Sequence, residues 1–440
     1  MRDILFLAAF LPMPFICFFR PWLGMLIWTW FAFTFPLSSL WGIGTSIPGN
    51  ILVTLFTLIG WVLAKDEPKR LPLDRANLLL IAFALVTSVS IMLSLSPEHT
   101  EVKISEYASI FIYLMMLSMF LHSTERLHAY VWITAFSIAY YAVKSSASFV
   151  VTRGAHHSTG PVGTILEDNN HLAVAFLLVF PLLNYLRLHS RYRWVRLCLL
   201  GTMVLTALAV VSTFSRGGFI GLVCMLGYFW WNAGRKISHL LLIGLGLLAV
   251  IYTSSDSWTS RMQSIDSAHE EDASFQGRLG AWLVYWNAAL DRPLTGAGPK
   301  ALEDPEVSHK YRPPLIDLRE GIAGHSIYFQ LMGEEGFLAL GIYLAMLYTA
   351  WANGGWVARR ARGDPDLAWA RDLARMAQIS IVVFAVTAAA LSLAFFDLLL
   401  SIMIVLAALR RMVAARLVEA AETASPPAGT PLMRPAEGAG

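Results

Sequence analysis

Three basic side chains stand at the edges of apolar stretches. They are Arg216 in Thr213-Phe214-Ser215-Arg216-Gly217-Gly218, Arg278 in Gly277-Arg278-Leu279-Gly280-Ala281-Trp282, and His325 in Gly324-His325-Ser326-Ile327-Tyr328. A histidine titrates near neutral pH, so it can take a proton from an attacking hydroxyl. An arginine carries a planar fork of N–H donors that spans two phosphate oxygens. A titratable side chain at such a boundary can take a proton from an outside acceptor while lying beside a lipid-borne donor.

Each residue also has a plainer reading. Arg216 precedes a helix that starts at Gly217, and an arginine beside a helix N-terminus makes an anion site; the alternative is an arginine snorkelling to the headgroups. Arg278 opens the apolar stretch 279–290, where Trp282 and Trp286 share a helix face suited to the membrane interface; the alternative is a surface arginine. His325, Tyr328, Met332 and Gly336 follow helical spacing along one face. The alternative for His325 is a helix cap or a headgroup contact. Glu334 lies about 14 Å further along that helix and reads as a buried structural acid with a partner.

Asp168-Asn169-Asn170-His171 precedes an apolar span. It reads as a helix cap, with Asn169 and Asn170, like Tyr328, as candidate substrate contacts. Gly296-Ala297-Gly298-Pro299 is a turn without the ending of a nucleotide-binding phosphate loop. His156-His157 and His309-Tyr311-Arg312 read as solvated loop residues. No group has metal-ligand spacing, and no metal or other cofactor is expected.

The elements that position these residues are membrane helices. Hydrophobic residues make up 56% of the 440 and charged residues 14%; the mean hydropathy is +0.57. A soluble domain carries nearer a quarter charged residues. The expected fold is all-α, a polytopic helical bundle. Cys17, Cys198 and Cys224 all lie in apolar stretches and read as small buried hydrophobes. The N-terminus runs into apolar sequence without a cleavage site and reads as retained helix.

Apolar stretches of spanning length fall at 50–64, 76–95, 105–122, 128–150, 169–187, 195–213, 217–233, 238–253 and 326–350. The stretch 376–410 is too long for one span and is expected to fold back near Asp397. Residues 3–40 are interrupted by Pro12, Pro14, Arg20 and Pro21 and cross once or twice. Basic loops around Lys65–Arg75, Arg187–Arg196, Arg235-Lys236, Arg359–Arg375 and Arg410–Arg416 fall on one side if the spans alternate, which makes that side cytoplasmic. About twelve spans with both ends inside are expected. The chain then divides into N-terminal helices (1–253), a large outward loop with short helices (254–325), C-terminal helices (326–420) and a disordered tail (421–440).

The order of these pieces resembles the O-antigen ligase and polymerase superfamily of bacterial membrane glycosyltransferases. The matching residues are Asp168-Asn169-Asn170, Phe214-Ser215-Arg216-Gly217, Arg278 with Trp282, Pro293, Gly296 and Gly298, then His325-Ser326-x-Tyr328 with Glu334 and Gly336. The block Arg20-Pro21-Trp22-Leu23-Gly24 with Trp28 and Trp30 resembles the O-glycosylation ligases associated with exosortase systems. One departure is Ser326, where asparagine often follows the histidine in that family. The resemblance implies transfer of a glycan from undecaprenyl diphosphate to a hydroxyl at the periplasmic face of the inner membrane, as a single inverting displacement. Arg216 and Arg278 would clamp the diphosphate and His325 would serve as base, with no metal. The acceptor would be a lipid A core sugar, a growing glycan (the polymerase variant) or a protein side chain. Membrane lipids are the other partners, and nucleic acid is not one. A transporter would show inverted repeats and polar groups at mid-membrane instead; a membrane scaffold is the remaining rival.

Overall fold

The computed structural model describes residues 8–40, 47–231, 268–313 and 322–424. The expected span at 238–253, Arg235-Lys236, residues 254–267 and 314–321 of the loop, and the tail from 425 lie outside the described residues. The described chain is helical, with no strand. In order, the helices are α1 (Met13–Phe19), α2 (Pro21–Thr34), α3 (Gly49–Leu63), α4 (Arg75–Met92), α5 (Pro97–Phe120), α6 (Thr124–Val151), α7 (Asn169–His189), α8 (Arg193–Ser212), α9 (Arg216–Trp231), α10 (Ala268–Asp291), α11 (Pro305–Tyr311), α12 (Ile327–Arg360), α13 (Ala368–Thr387) and α14 (Asp397–Ala424).

Seven of the described helices are long and apolar enough to cross a bilayer: α4, α5, α7, α8, α12, α13 with its flanking turns, and α14. Shorter apolar helices occur at Ala8–Phe19, Gly49–Leu63 and Arg216–Trp230. The 28-residue α6 is long enough to cross but is not among the seven. The expected count of about twelve would need these and 238–253 as well. The fold-back near Asp397 is present, because α13 gives way to a 3-10 turn at Ala388–Ala390 and α14 begins at Asp397.

At the centre stands α7, whose buried residues run without a gap from Leu172 to Leu186. A helix apolar on all sides must be enclosed by others, and α6, α8, α9 and α13 surround it. The start of α7 is fixed by Asp168, whose Oδ1 accepts from the amides of Asn170 (2.8 Å) and His171 (3.1 Å). The capping role expected for this turn is therefore observed. At one end of the bundle, Arg411 pairs with Asp74, Arg126 with Glu67, and His189 with Asp372. These contacts join the basic loops assigned to a common side.

Three sequence readings are corrected. Cys17 is buried, but Cys198 and Cys224 are exposed; an apolar helix face that meets lipid has the same composition as one that meets protein. The loop between α9 and α12 carries more than short helices, because α10 runs for 24 residues and begins well before Gly277. The last helix continues to Ala424, past the expected boundary at 420.

Candidate functional site

The span after His325 is broken. Within α12, Gly336 has φ 90° and ψ 170°, far from helical values. The break frees the carbonyls of Gly333 and Glu334 from their helical partners, and buried carbonyls need replacements. The turn 296–298 supplies them: the amides of Ala297 and Gly298 donate to Gly333 O and Glu334 O, each at 2.8 Å. Ser90 Oγ also donates to Glu334 O (2.8 Å). In return, the Phe337 amide donates to Pro293 O (2.8 Å). The fit requires glycine. A Cβ on Gly296 would sit 2.4 Å from the Glu334 backbone, and one on Gly336 would sit 2.7 Å from Pro293 O. The Gly296-Ala297-Gly298 turn is thus a latch closed on the broken helix. Glu334 is 3% exposed and has Gln330 Nε2 at 3.3 Å as a partner, as expected for a structural acid.

The latch fixes the level of His325, and α10 fixes its direction. Arg278, Trp282 and Tyr285 follow one another at helical spacing along one side of α10. Trp282 Nε1 donates to Gly324 O (3.0 Å), and its ring stacks on Phe329 with centroids 4.9 Å apart and planes 1° apart. Tyr285 Oη donates to Ile322 O (3.2 Å). His325 is therefore held from both sides of its own backbone. Its φ of 43° is left-handed, a conformation that costs a non-glycine residue free energy and persists only where neighbours enforce it. Ser326, not His325, is the N-cap of α12, so the capping alternative for the histidine fails. The residue keeps an exposed side. Even so, burial of the ring, and then the positive charge of Arg278, hold its pKa below 6.5, while Asp168 opposes the shift. Burial and the Arg278 charge both favour the neutral form of the ring, the form that accepts a proton.

Arg216 opens α9. Ser215 caps that helix, accepting from the Gly218 amide at 3.0 Å, and donates to Asn170 Oδ1 at 2.7 Å. Asn169 Nδ2 donates to Thr213 O at 2.8 Å, and Asn170 Nδ2 to Asn169 Oδ1 at 3.2 Å. Phe214, between them, has a left-handed φ of 57°. Asn169 and Asn170, expected as substrate contacts, brace the turn that presents Arg216 and stay half-buried. Tyr328 Oη likewise donates to Ala385 O (2.9 Å) and ties α12 to α13, so its hydroxyl is engaged by the protein.

The structure thus brings Arg278 and His325 together. Arg216 itself is tied to the turn at the start of α7 through the hydrogen bond from Ser215 to Asn170. A cavity of about 1140 Å³ reaches the start of α7, where Asp168 and His171 line it. Sequence reasoning missed the cavity, because its walls come from six separate helices and carry no local signature. It also missed Trp282 as the support of Gly324. The spacing of Trp282 to Arg278 put both on one face, but nothing local showed that the face turns toward Gly324. His156-His157 adds only a ring contact from His157 to Phe214, with centroids 6.4 Å apart. Among the described residues no group of three or more potential ligands could hold a metal.

A bundle of this kind, with seven apolar helices of spanning length, is a multi-pass membrane protein. Residues 201–344 match the O-antigen ligase family model, and that match places this segment in the O-antigen ligase superfamily. The matched segment contains Arg216, Arg278, His325, Tyr328 and every glycine of the latch. Residues 1–191 match a family of unknown function (DUF5935). A search of curated proteins finds no match to the chain.

Proposed function

We propose that this chain is a membrane glycosyltransferase that moves a glycan from undecaprenyl diphosphate to an acceptor hydroxyl. The reaction takes place at the periplasmic face of the bacterial inner membrane, and about twelve spans leave the α10 loop on that face. The acceptor oxygen attacks the anomeric carbon as the bond to the diphosphate breaks, with inversion. His325 takes the acceptor proton and later releases it to water. Arg216 and Arg278 neutralise the charge that gathers on the departing diphosphate, as preorganised donors do where charge develops. The leaving group needs no further activation, so the scheme has no step for a metal.

One observation carries this reading. His325 is held in a left-handed backbone conformation beside Gly324, whose carbonyl accepts from Trp282, and Trp282 lies on the same helix side as Arg278. That is the arrangement of a poised base beside an anion clamp. A reconstituted assay with an undecaprenyl-diphosphate glycan and a hydroxyl acceptor tests it. New glycoside with release of undecaprenyl diphosphate supports the reading. A ladder of longer glycans from donor alone would make the chain a polymerase. Movement of intact donor across the bilayer without bond exchange would overturn the reading in favour of transport.

A further inference from the structure

Helix α10 has three sides, and each meets something different. Ala281, Val284, Tyr285, Ala288 and Ala289 are buried, on the side where Tyr285 lies against Gly333 of α12. Asn287 and Asp291 turn to α11. Asn287 Nδ2 donates to Tyr311 O at 3.0 Å, and Asp291 accepts from Lys310 Nζ at 2.9 Å and from Tyr311 Oη at 2.7 Å. The third side is free. From Leu279 to Leu290 the exposed residues of α10 are Leu279, Leu283, Trp286 and Leu290, with no polar residue among them. Their spacing of four, three and four residues places them in one stripe. The Trp282–Trp286 face expected from the sequence is therefore divided, because Trp282 turns in to Gly324 while Trp286 stays outside with the leucines.

The stripe continues past the end of α10. Trp286 meets the Phe337 ring edge-on, with centroids 5.6 Å apart, and Leu338 beside it in α12 is exposed. Leu294 is exposed next to Pro293, whose carbonyl accepts from the Phe337 amide. Arg292 donates to Leu93 O at 2.6 Å, so the end of α4 lies alongside, and both Met92 and Leu93 are exposed there. Helices α4 and α12 are of spanning length, and their exposed apolar side chains face acyl chains. Helix α4 starts at Arg75, next to the Asp74–Arg411 pair of the basic end, and finishes at Met92. Helix α10 therefore lies at the opposite end of the bundle, level with the ends of its spans.

We infer that α10 lies in the membrane interface, with Leu279, Leu283, Trp286 and Leu290 seated among lipid headgroups and upper acyl chains. The partner of this surface is the bilayer itself. The inference stands apart from the proposed chemistry and needs only that the bundle spans a membrane. Continuity decides the partner, because the stripe joins exposed apolar side chains of two spanning helices. Four large apolar side chains in line are also a poor surface for water. Trp286 suits such a depth, since its ring is apolar and its indole N–H can reach the headgroups. Arg278 directly precedes the stripe and is exposed, so its long stem reaches the headgroup level from there. The loop between α9 and α12 is thus no cap standing clear in water, because α10 is partly sunk in lipid.

Spin labels read the depth directly in the full chain, held in nanodiscs of phosphatidylethanolamine and phosphatidylglycerol. Cys198 and Cys224 are replaced by alanine, and Cys17 is buried and stays. Labels are then attached through Leu283→Cys and Leu290→Cys, with Glu306→Cys on α11 for comparison, since Glu306 is exposed. Collisions with oxygen, which concentrates among acyl chains, are compared with collisions with a nickel chelate confined to water. The labels at 283 and 290 should lie about 5–10 Å below the headgroup boundary, the depth of an interfacial helix, while the label at 306 should be open to nickel. Leu279→Cys, on the same stripe, replaces either site if that variant fails to fold. Nickel access at 283 and 290 equal to that at 306 overturns the inference. Shielding of both labels from oxygen and nickel alike would mean that protein covers the stripe, a second copy or another chain, and overturns it as well.

Discussion

Trp282→Phe isolates the support of the proposed base. The replacement keeps an aromatic ring against Phe329 but removes the 3.0 Å hydrogen bond to Gly324 O. Gly324 is buried, so its carbonyl is left without a partner. Stranding a buried acceptor costs about 1–3 kcal/mol. The left-handed backbone at His325 stores strain of the same order, about 1–3 kcal/mol. The lost bond is thus comparable with the strain it restrains, and the held conformation should no longer dominate. A shift of about 1–3 kcal/mol changes its population roughly 5- to 150-fold, and turnover should fall within that range. Donor KM should stay near its wild-type value, because neither arginine is touched. The pH profile separates this from a general loss of structure. Packing and Arg278 hold the His325 pKa below 6.5, so in the wild type the neutral base persists to a pH below that value and activity is lost only as pH falls through the lowered pKa. A ring released toward solvent titrates closer to 6.5, and the acid limb of the variant should move to higher pH. Wild-type turnover with an unmoved acid limb would refute the argument that Trp282 positions the base.

His325→Ala should cost on the order of 100- to 10,000-fold in transfer with donor binding kept; near-normal turnover by the purified variant would remove the residue from the mechanism. Arg216→Lys and Arg278→Lys keep the charge but lose the two-pronged geometry, so each should lower kcat more than it weakens donor binding, and wild-type values for one would demote that arginine. Gly336→Ala places a side chain in a backbone region reserved for glycine and 2.7 Å from Pro293 O; it should open the latch, destabilise by about 1–3 kcal/mol or more, and be read as a lower melting temperature in nanodiscs. If Arg216 and Arg278 take the part of a metal, as proposed, transfer should survive treatment with a chelator; loss of activity restored by magnesium would contradict this.

The helical class was readable from hydropathy alone, because bilayer-spanning segments repeat one simple constraint. The fold-back at Asp397 and the cap at Asp168 were also legible, since each depends on a few neighbouring residues. The site was legible only as separate pieces. Arg278 and His325 are far apart in the chain, and their approach depends on how α10 lies against α12. Asn169, Asn170 and Tyr328 have the right chemistry for substrate contacts, but polar groups inside a bundle are first claimed by unpaired backbone. Thr213 O and Ala385 O make that claim on Asn169 and Tyr328, and the Ser215 hydroxyl takes Asn170. The glycines at 296, 298 and 336 read as turns or ordinary helix positions, because each is explained only by the others.

The latch has a bearing on how the protein meets different bilayers. Its irregular backbone is satisfied by Ser90, Pro293 and the 296–298 amides, with no call on lipid or interfacial water. When a membrane thins or thickens, helices adapt by tilting or by drawing headgroups inward. A free helix end would move with those headgroups. Here the start of α12 is fastened to α4 and α10, so His325 and Arg278 travel as one body whatever the acyl length around them. The separation of His325 from Arg278 is therefore a property of the chain and not of its host membrane.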